Sequence, residues 1–474
     1  MADSDDASAT ADWREAVGGA KLRLVERMAA TRTADLELDP QLHLELLTTA
    51  VRQQSAAMLT CLLRATTPSE FQLSSCVRVA AEVQALEAIE LLVAHGADVN
   101  ARGNAWETPL FLAIEHTSTD MAELLLRLGA DLSQPVGAYR HSAIHVMAAS
   151  GRLELLQLVR RVRGDVATFG ARNRHEGYTP LHAAAWSGHA HVAQFLLETL
   201  GEAATVDIDA ESRYDETPLT FAAKLGFLDV VRVLVSRGAD VNSVDTGGSL
   251  SALFGAAESG NFAVVQYLCE HGADVLWRRF DGVSALCVAA REGCADIVEY
   301  LAEARGADLN AVTFDLTALN EAVIRGHTDV VRVLLAHNAP AREDVERDST
   351  LLCQAILFGR VAIAHLLIQH GADVNALYSL VIDGEHMQLT PLLVAAGCGN
   401  RAVVEYLCEQ GADVEARSDQ DETALFFAAL WGHLDVAQYL VTNRGADILA
   451  TTSYGFTPAQ VSKQLDDARG SQEA

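Results

Sequence analysis

The residues whose types and spacing come nearest to metal chemistry are His182, His189 and His191, since neutral imidazoles are common zinc ligands. His189, His327 and His433, however, each follow a glycine that closes a short helical pattern, so recurrence in one register explains them better than convergence on an ion. The eight cysteines form no Cys-x-x-Cys and fall inside helical patterns, where they read as buried thiols of a reducing compartment. Arg160, Arg161, Arg163, Arg172 and Arg174 make the one basic cluster of an acidic chain. Two readings stand for them: an anchor for a phosphate or an acidic peptide, or a helix C-terminus, where cations meet the negative end of the dipole. No Gly-x-x-x-x-Gly-Lys loop, His-Glu-x-x-His pair or Gly-x-Ser-x-Gly elbow occurs. No catalytic residue, cofactor or metal ligand is expected, and the chain reads as a non-enzyme.

These residues share a place in a repeating unit, most complete between Gly177 and Gly201. Thr179 is placed to cap a helix with its hydroxyl, and Pro180 takes the first helical position, where a missing N–H costs nothing. Gly188 stops that helix, and Val192, Phe195 and Leu196 then recur with helical spacing up to Gly201. Two helices this short cannot bury their apolar faces alone, so the unit needs copies on either side. Thr or Ser opens the pattern at Thr108, Ser142, Thr179, Thr217, Ser251, Ser284, Thr317, Thr350, Thr390, Thr423 and Thr457. In all but the first and last a glycine follows nine positions on, and units close in Gly-Ala-Asp, as at Asp98, Asp240 and Asp413. The steps Ser251–Ser284–Thr317–Thr350 are 33 residues each.

This pattern resembles the ankyrin repeat, with its period of about 33 residues and its Thr-Pro-Leu-His-x-Ala signature. Thr179 to Ala184 match the signature in full. The resemblance implies an all-α fold, a solenoid of roughly eleven to thirteen helix-turn-helix units joined by β-hairpin turns. Residues 1–41 read as an acidic tail with a helix over Trp13–Ala30, either a cap or a loose attachment; 42–100 as divergent N-terminal capping repeats, the second opening near Ser75. Residues 101–454 form the stack, and 455–474 a truncated C-terminal cap. Long turns fall near 165–176, 203–216 and 376–389; the last carries Asp383-Gly384, a hairpin signal, so an apolar finger either projects or folds back. Only His145 and His182 keep the signature histidine, so most repeats lose its hydrogen bond. Asp215, Asp315, Asp348 and Asp421 replace the glycine of the preceding turn, which Asp tolerates.

The net charge of −29 argues against nucleic acid or an anionic membrane as partner. No apolar run approaches a membrane span, and the acidic start is no secretory signal, so an intracellular, cytoplasmic or nuclear, monomeric protein is expected. Asn100, Asn242 and Asn375 each lie eight residues after a leucine, a context similar to the one an asparagine hydroxylase modifies in ankyrin repeats; turn geometry also selects asparagine.

The resemblance implies that residues just before the first glycine stop, and the tips of the preceding turns, face a concave groove and choose a protein partner. Here those places carry Trp186, Leu225, Ile324, Leu357, Phe358, Leu430 and Trp431 on helices, and Tyr178, Tyr214, Phe280 and Phe314 on turns. Aromatics at such places are what binding hot spots use. The function expected is a non-enzymatic interaction scaffold; the alternative is a regulatory or adaptor subunit docking a signalling enzyme or ubiquitin ligase through its N-terminal region. Since each repeat touches only its neighbours, a truncation at Asn375 is expected to leave the N-terminal part helical by circular dichroism, and an unfolded fragment would show the seam to be misplaced.

Overall fold

The computed structural model describes residues 12–31, 40–103, 106–136, 141–201, 207–245, 248–304, 306–312, 316–339, 351–382 and 385–463. Phe314, Thr350, Asp315, Asp348, the Asp383-Gly384 turn and most of the acidic tail lie outside them.

Most of the first helices start where a described hydroxyl satisfies an orphan N–H. Thr108, Thr179, Thr217, Ser251, Ser284, Thr317, Thr390 and Thr423 all accept from the backbone N–H three residues on, as expected for helix caps. Ser142 departs from this, its hydroxyl donating instead to His145 Nδ1 at 2.7 Å. The chain forms two compact units, Met1–Thr246 and Gly247–Ala474. In the first, the first helices of successive pairs begin at Pro40, Glu70, Pro109, Ala143, Pro180 and Pro218; in the second, at Ala252, Ala285, Ala318, Leu351, Pro391 and Ala424. A second helix follows each, so the described residues hold twelve pairs from Pro40 onward, with a helical start at 458–463 after them.

Within a unit, first helices pack on neighbouring first helices and second on second. Leu181, Ala184 and Ala185 of Pro180–Trp186, with Val192, Ala193 and Leu196 of Ala190–Gly201, are all buried, alanine letting the helices approach closely. Removing one such leucine or valine from water is worth about 1.5–3 kcal/mol. At the N-terminus, residues 12–18 and Leu22–Thr31 form a helix pair whose Trp13, Val17 and Val25 are fully buried. Arg14 reaches Glu45 at 2.9 Å, so this pair packs on the repeat that starts at Pro40. The second divergent unit opens earlier than Ser75: Ser69 caps the helix Glu70–Glu82 in a capping box with Gln72, while Ser75 only bonds the Phe71 carbonyl.

Polar ties cross the repeat boundaries. His145 Nε2–H donates to the Tyr178 carbonyl at 2.8 Å and His182 Nε2–H to the Glu216 carbonyl at 3.0 Å, so the two signature histidines each hold the next repeat. Thr220 and Asn320, standing in the same place, complete capping boxes within their own repeats. The histidines that follow glycine stops form a second row: His189, His327 and His433 donate to the carbonyls of Ala149, Arg291 and Gly397 at 3.0, 2.9 and 3.0 Å. At Gly399 the stop has no room for a side chain: at φ 70°, a Cβ there would lie 2.4 Å from His433 Nδ1. Asp215 and Asp421 take the left-handed conformation expected of them, at φ 61° and 59°.

The long turns are ordered where described. Ala167–Gly170 is a 3₁₀ turn whose buried Phe169 meets Phe195 edge to face at 6.0 Å. Strands β1 (Tyr378–Ile382) and β2 (Glu385–Leu389) pair antiparallel, Tyr378 opposite Leu389 and Ile382 opposite Glu385. Tyr378 and Leu389 are buried at the base, and Gln388 N–H donates to Asp419 of the next turn at 3.0 Å.

Burial holds His145 and His182 neutral, each pushed down to about 4 from an ordinary 6.5, with their carbonyl hydrogen bonds opposing the shift in part. Above pH 6.5 both folded and unfolded chains carry neutral imidazoles; between 6.5 and 4 only the unfolded chain gains the protons. Stability from these residues is therefore full above pH 6.5 and is lost as pH falls toward 4, by on the order of 3 kcal/mol per histidine. Denaturant melts of wild type and a His145→Asn/His182→Asn double variant across this range should converge at low pH; parallel curves would contradict it.

Candidate partner-binding surface

The residues just before a glycine stop point away from the packed core, because the helix has already spent its apolar stripe on its neighbours. Trp186 is 56% exposed and Leu225, one repeat on, is 41% exposed. Trp186 is seated on Phe221 of that next repeat, buried at 3%, with ring centroids 5.1 Å apart and planes at 72°. Tyr178, half-buried on the turn before Thr179, stacks on His182 at 5.5 Å and meets Phe221 edge-on at 5.4 Å. Tyr214, on the following turn, is 65% exposed. Tyr178 and Trp186 thus share a Phe221 floor, with Tyr214 near the Tyr178 hydroxyl and Leu225 one helical turn after Phe221. Burial first, then the carboxylates of Glu216 and Glu176 and the neighbouring Tyr214, push the Tyr178 hydroxyl up to about 12. Glu216 is itself raised, mainly by burial, with Lys224 opposing and Asp245 adding.

In the second unit, Phe280 is 77%, Leu357 38%, Phe358 52% and Trp431 60% exposed, while Ile324 and Leu430 are half-buried. Trp431 lies beside Gly397 of the preceding repeat. The stop-preceding residues are charged in the earlier repeats of this unit, where Arg291 pairs with Glu321 at 2.8 Å. Arg279 lies 5.2 Å from the Phe254 ring, pairs with Asp281, and stands 6.0 Å from Phe280.

Other exposed apolar residues were not anticipated. Leu276 and Leu449, 59% and 74% exposed, occupy the turn position held by Asn100 and Asn375 in other repeats. A leucine replacing asparagine there is the signal that finds them. Trp106, two residues before Thr108, takes the left-handed conformation at φ 66° under the Arg102 guanidinium.

The other candidates resolve into structure. Arg160 bonds Thr199, Arg161 approaches Glu123 at 3.5 Å, Arg163 reaches the Leu126 carbonyl and Arg172 pairs with Asp207. The helix end at left-handed Gly164 accounts for Arg160, Arg161 and Arg163, while Arg172 and Arg174 lie on the turn beyond. Asn100 Oδ1 and Asn375 Oδ1 accept from Asp131 N–H and Asp413 N–H of the next repeat at 2.7 and 2.9 Å, a structural use of the turn asparagine. The expectation of buried thiols holds for five cysteines; Cys61 and Cys294 are half-buried, and Cys398 is exposed because it caps a helix at the stop-preceding position. Among the described residues no His, Cys, Asp and Glu group is placed to hold a metal, and no helix is long and apolar enough to cross a membrane.

Residues 47–136, 144–245, 243–313, 312–378 and 375–452 match the family described as "Ankyrin repeats (3 copies)". The chain is 34% identical over 184 residues to the mouse (Mus musculus) B-cell lymphoma 3 protein homolog, covering 37% of this chain and 38% of that protein. It is 30% identical over 229 residues to ankyrin repeat and KH domain-containing protein mask-1 of Caenorhabditis elegans, covering 42% and 8%. It is 31% identical over 192 residues to human (Homo sapiens) neurogenic locus notch homolog protein 2, covering 37% and 7%. The matched part is thus well under two thirds of each relative's length. With capped helix pairs, glycine stops and turn aspartates in register along most of its length, the chain belongs to the ankyrin-repeat family, a family of protein-interaction modules.

Proposed function

We propose that the chain is a non-enzymatic interaction scaffold that holds a protein partner on its stop-preceding residues and turn tips, the concave side of ankyrin repeats. The partner-binding residues are Tyr178, Trp186, Tyr214 and Leu225 in the first unit and Phe280, Phe314, Ile324, Leu357, Phe358, Leu430 and Trp431 in the second. The observation that carries this is the 56% and 60% exposure of Trp186 and Trp431, which folding does not require. Large aromatics supply contact area at low entropic cost and dominate binding energetics.

The adaptor reading, in which the N-terminal region docks a second protein, has less to draw on, since Trp13, Val17 and Val25 are buried against neighbouring helices.

Affinity capture with mass spectrometry, paired with thermal melting, tests the proposal. Trp186→Ala and Trp431→Ala should leave melting nearly unchanged and weaken partner capture by at least ~2 kcal/mol. Phe221→Ala, which empties a packed site, should cost ~3–5 kcal/mol of stability. If the tryptophan variants melt like Phe221→Ala and lose capture only in proportion to unfolding, the surface is wrongly assigned.

A further inference from the structure

The patch around Trp186 combines two features that an apolar anchor alone does not use: ring faces open to solvent and carboxylates drawn partly out of water. Trp186 and Phe221 meet edge to face, so Phe221 covers at most one face of an indole that is more than half in water, and Tyr214 is more exposed still. On the turn row beside them lie Glu176 and Glu216, both close enough to Tyr178 to act on its hydroxyl. The cation facing Glu216 is Lys224, Arg213 lies beside Gly177, and Arg172, paired with Asp207, acts on His182; Glu176, Asp215, Glu216 and Asp245 outnumber these three. Resting on the partner surface proposed above, we propose that the Tyr178–Trp186–Tyr214 patch receives a cationic side chain, an arginine or lysine borne by a segment of the protein partner.

The physical case is one of complementarity. An apolar side chain seated here would strip more water from Glu216 and return nothing to it. A guanidinium or ammonium meets the negative faces of the rings and offers N–H groups to the carboxylates, the planar guanidinium doing both at once. Burial first, and nearby carboxylates second, hold the Glu216 carboxyl and the Tyr178 hydroxyl above their ordinary pKa, with Lys224 opposing the shift at Glu216. The net charge of −29 also draws a basic segment toward the molecule and repels an acidic one.

A fluorescein-labelled dodecapeptide repeating Arg-Leu-Ala, and its counterpart with Glu for Arg, would be titrated by fluorescence anisotropy at physiological salt against the full chain. The arginine peptide should bind and the glutamate peptide should not. Trp186→Ala and Glu216→Gln should each weaken binding about tenfold or more. Asp229→Asn, the same charge change on the exposed second helix Leu228–Ser236, should leave it within about twofold. Tyr214→Ala serves as a second aromatic probe should Trp186→Ala prove poorly folded by circular dichroism. Equal losses at Glu216 and Asp229 would reduce the binding to a diffuse field and overturn the proposal, as would unchanged binding in folded Trp186→Ala or Tyr214→Ala. Failure of the arginine peptide to bind, with natural-partner capture still dependent on Trp186, would overturn the cation while leaving the partner surface standing.

Discussion

A seven-residue helix such as Pro180–Trp186 makes about two turns and rises about 10 Å, too little to be stable in water by itself. Everything else in the molecule follows from that shortfall. Its apolar stripe must be covered by the helices before and after, and its end groups must find partners outside the helix. Threonine caps take the N-terminal donors, and histidines after glycine stops reach back to C-terminal carbonyls of the preceding repeat. Turn asparagines and aspartates do the same along the hairpin row, as Asn100 and Asp209 do for the N–H groups of Asp131 and Asp240. Stability is therefore held between repeats more than within them.

This division of labour decides what the surface is free to do. Positions facing neighbours are fixed by packing; those just before each glycine stop are not, and vary from Arg291 and Glu292 to Phe358 and Trp431. A charged residue there can be satisfied within the stack, as Arg291 is by Glu321 on the first turn of the next repeat's helix. Trp186 meets Phe221 and Trp431 lies beside Gly397, yet each keeps more than half of its surface in water, which is why the partner surface is proposed on them.

How much of this was legible in the sequence depended on whether a residue acts through local geometry. Caps, glycine stops and left-handed aspartates depend on one or two dihedrals and neighbours three or four residues away, so their spacing announces them. The divergent repeats were harder, because Gln54, Gln84 and Thr117 take the left-handed stop conformation without glycine, and Ser69 caps a longer helix than the usual pattern allows. Among the candidate binding residues, register marks solvent-facing places, and Trp186, Phe358 and Trp431 are exposed there while Ile324 and Leu430 are half-buried. The cross-repeat seating of Trp186 on Phe221 was invisible, being a contact between residues 35 positions apart.

Hydrogen exchange read by mass spectrometry on the full chain, free and with its captured protein partner, tests the central claim most directly. Partner-induced protection should concentrate on residues 176–187 and 212–226 and on the helix ends around Phe358 and Trp431, leaving the second helices Ala190–Gly201 and Leu228–Ser236 unchanged. Protection falling on those second helices, with the tryptophan-bearing ends unaffected, would contradict the account.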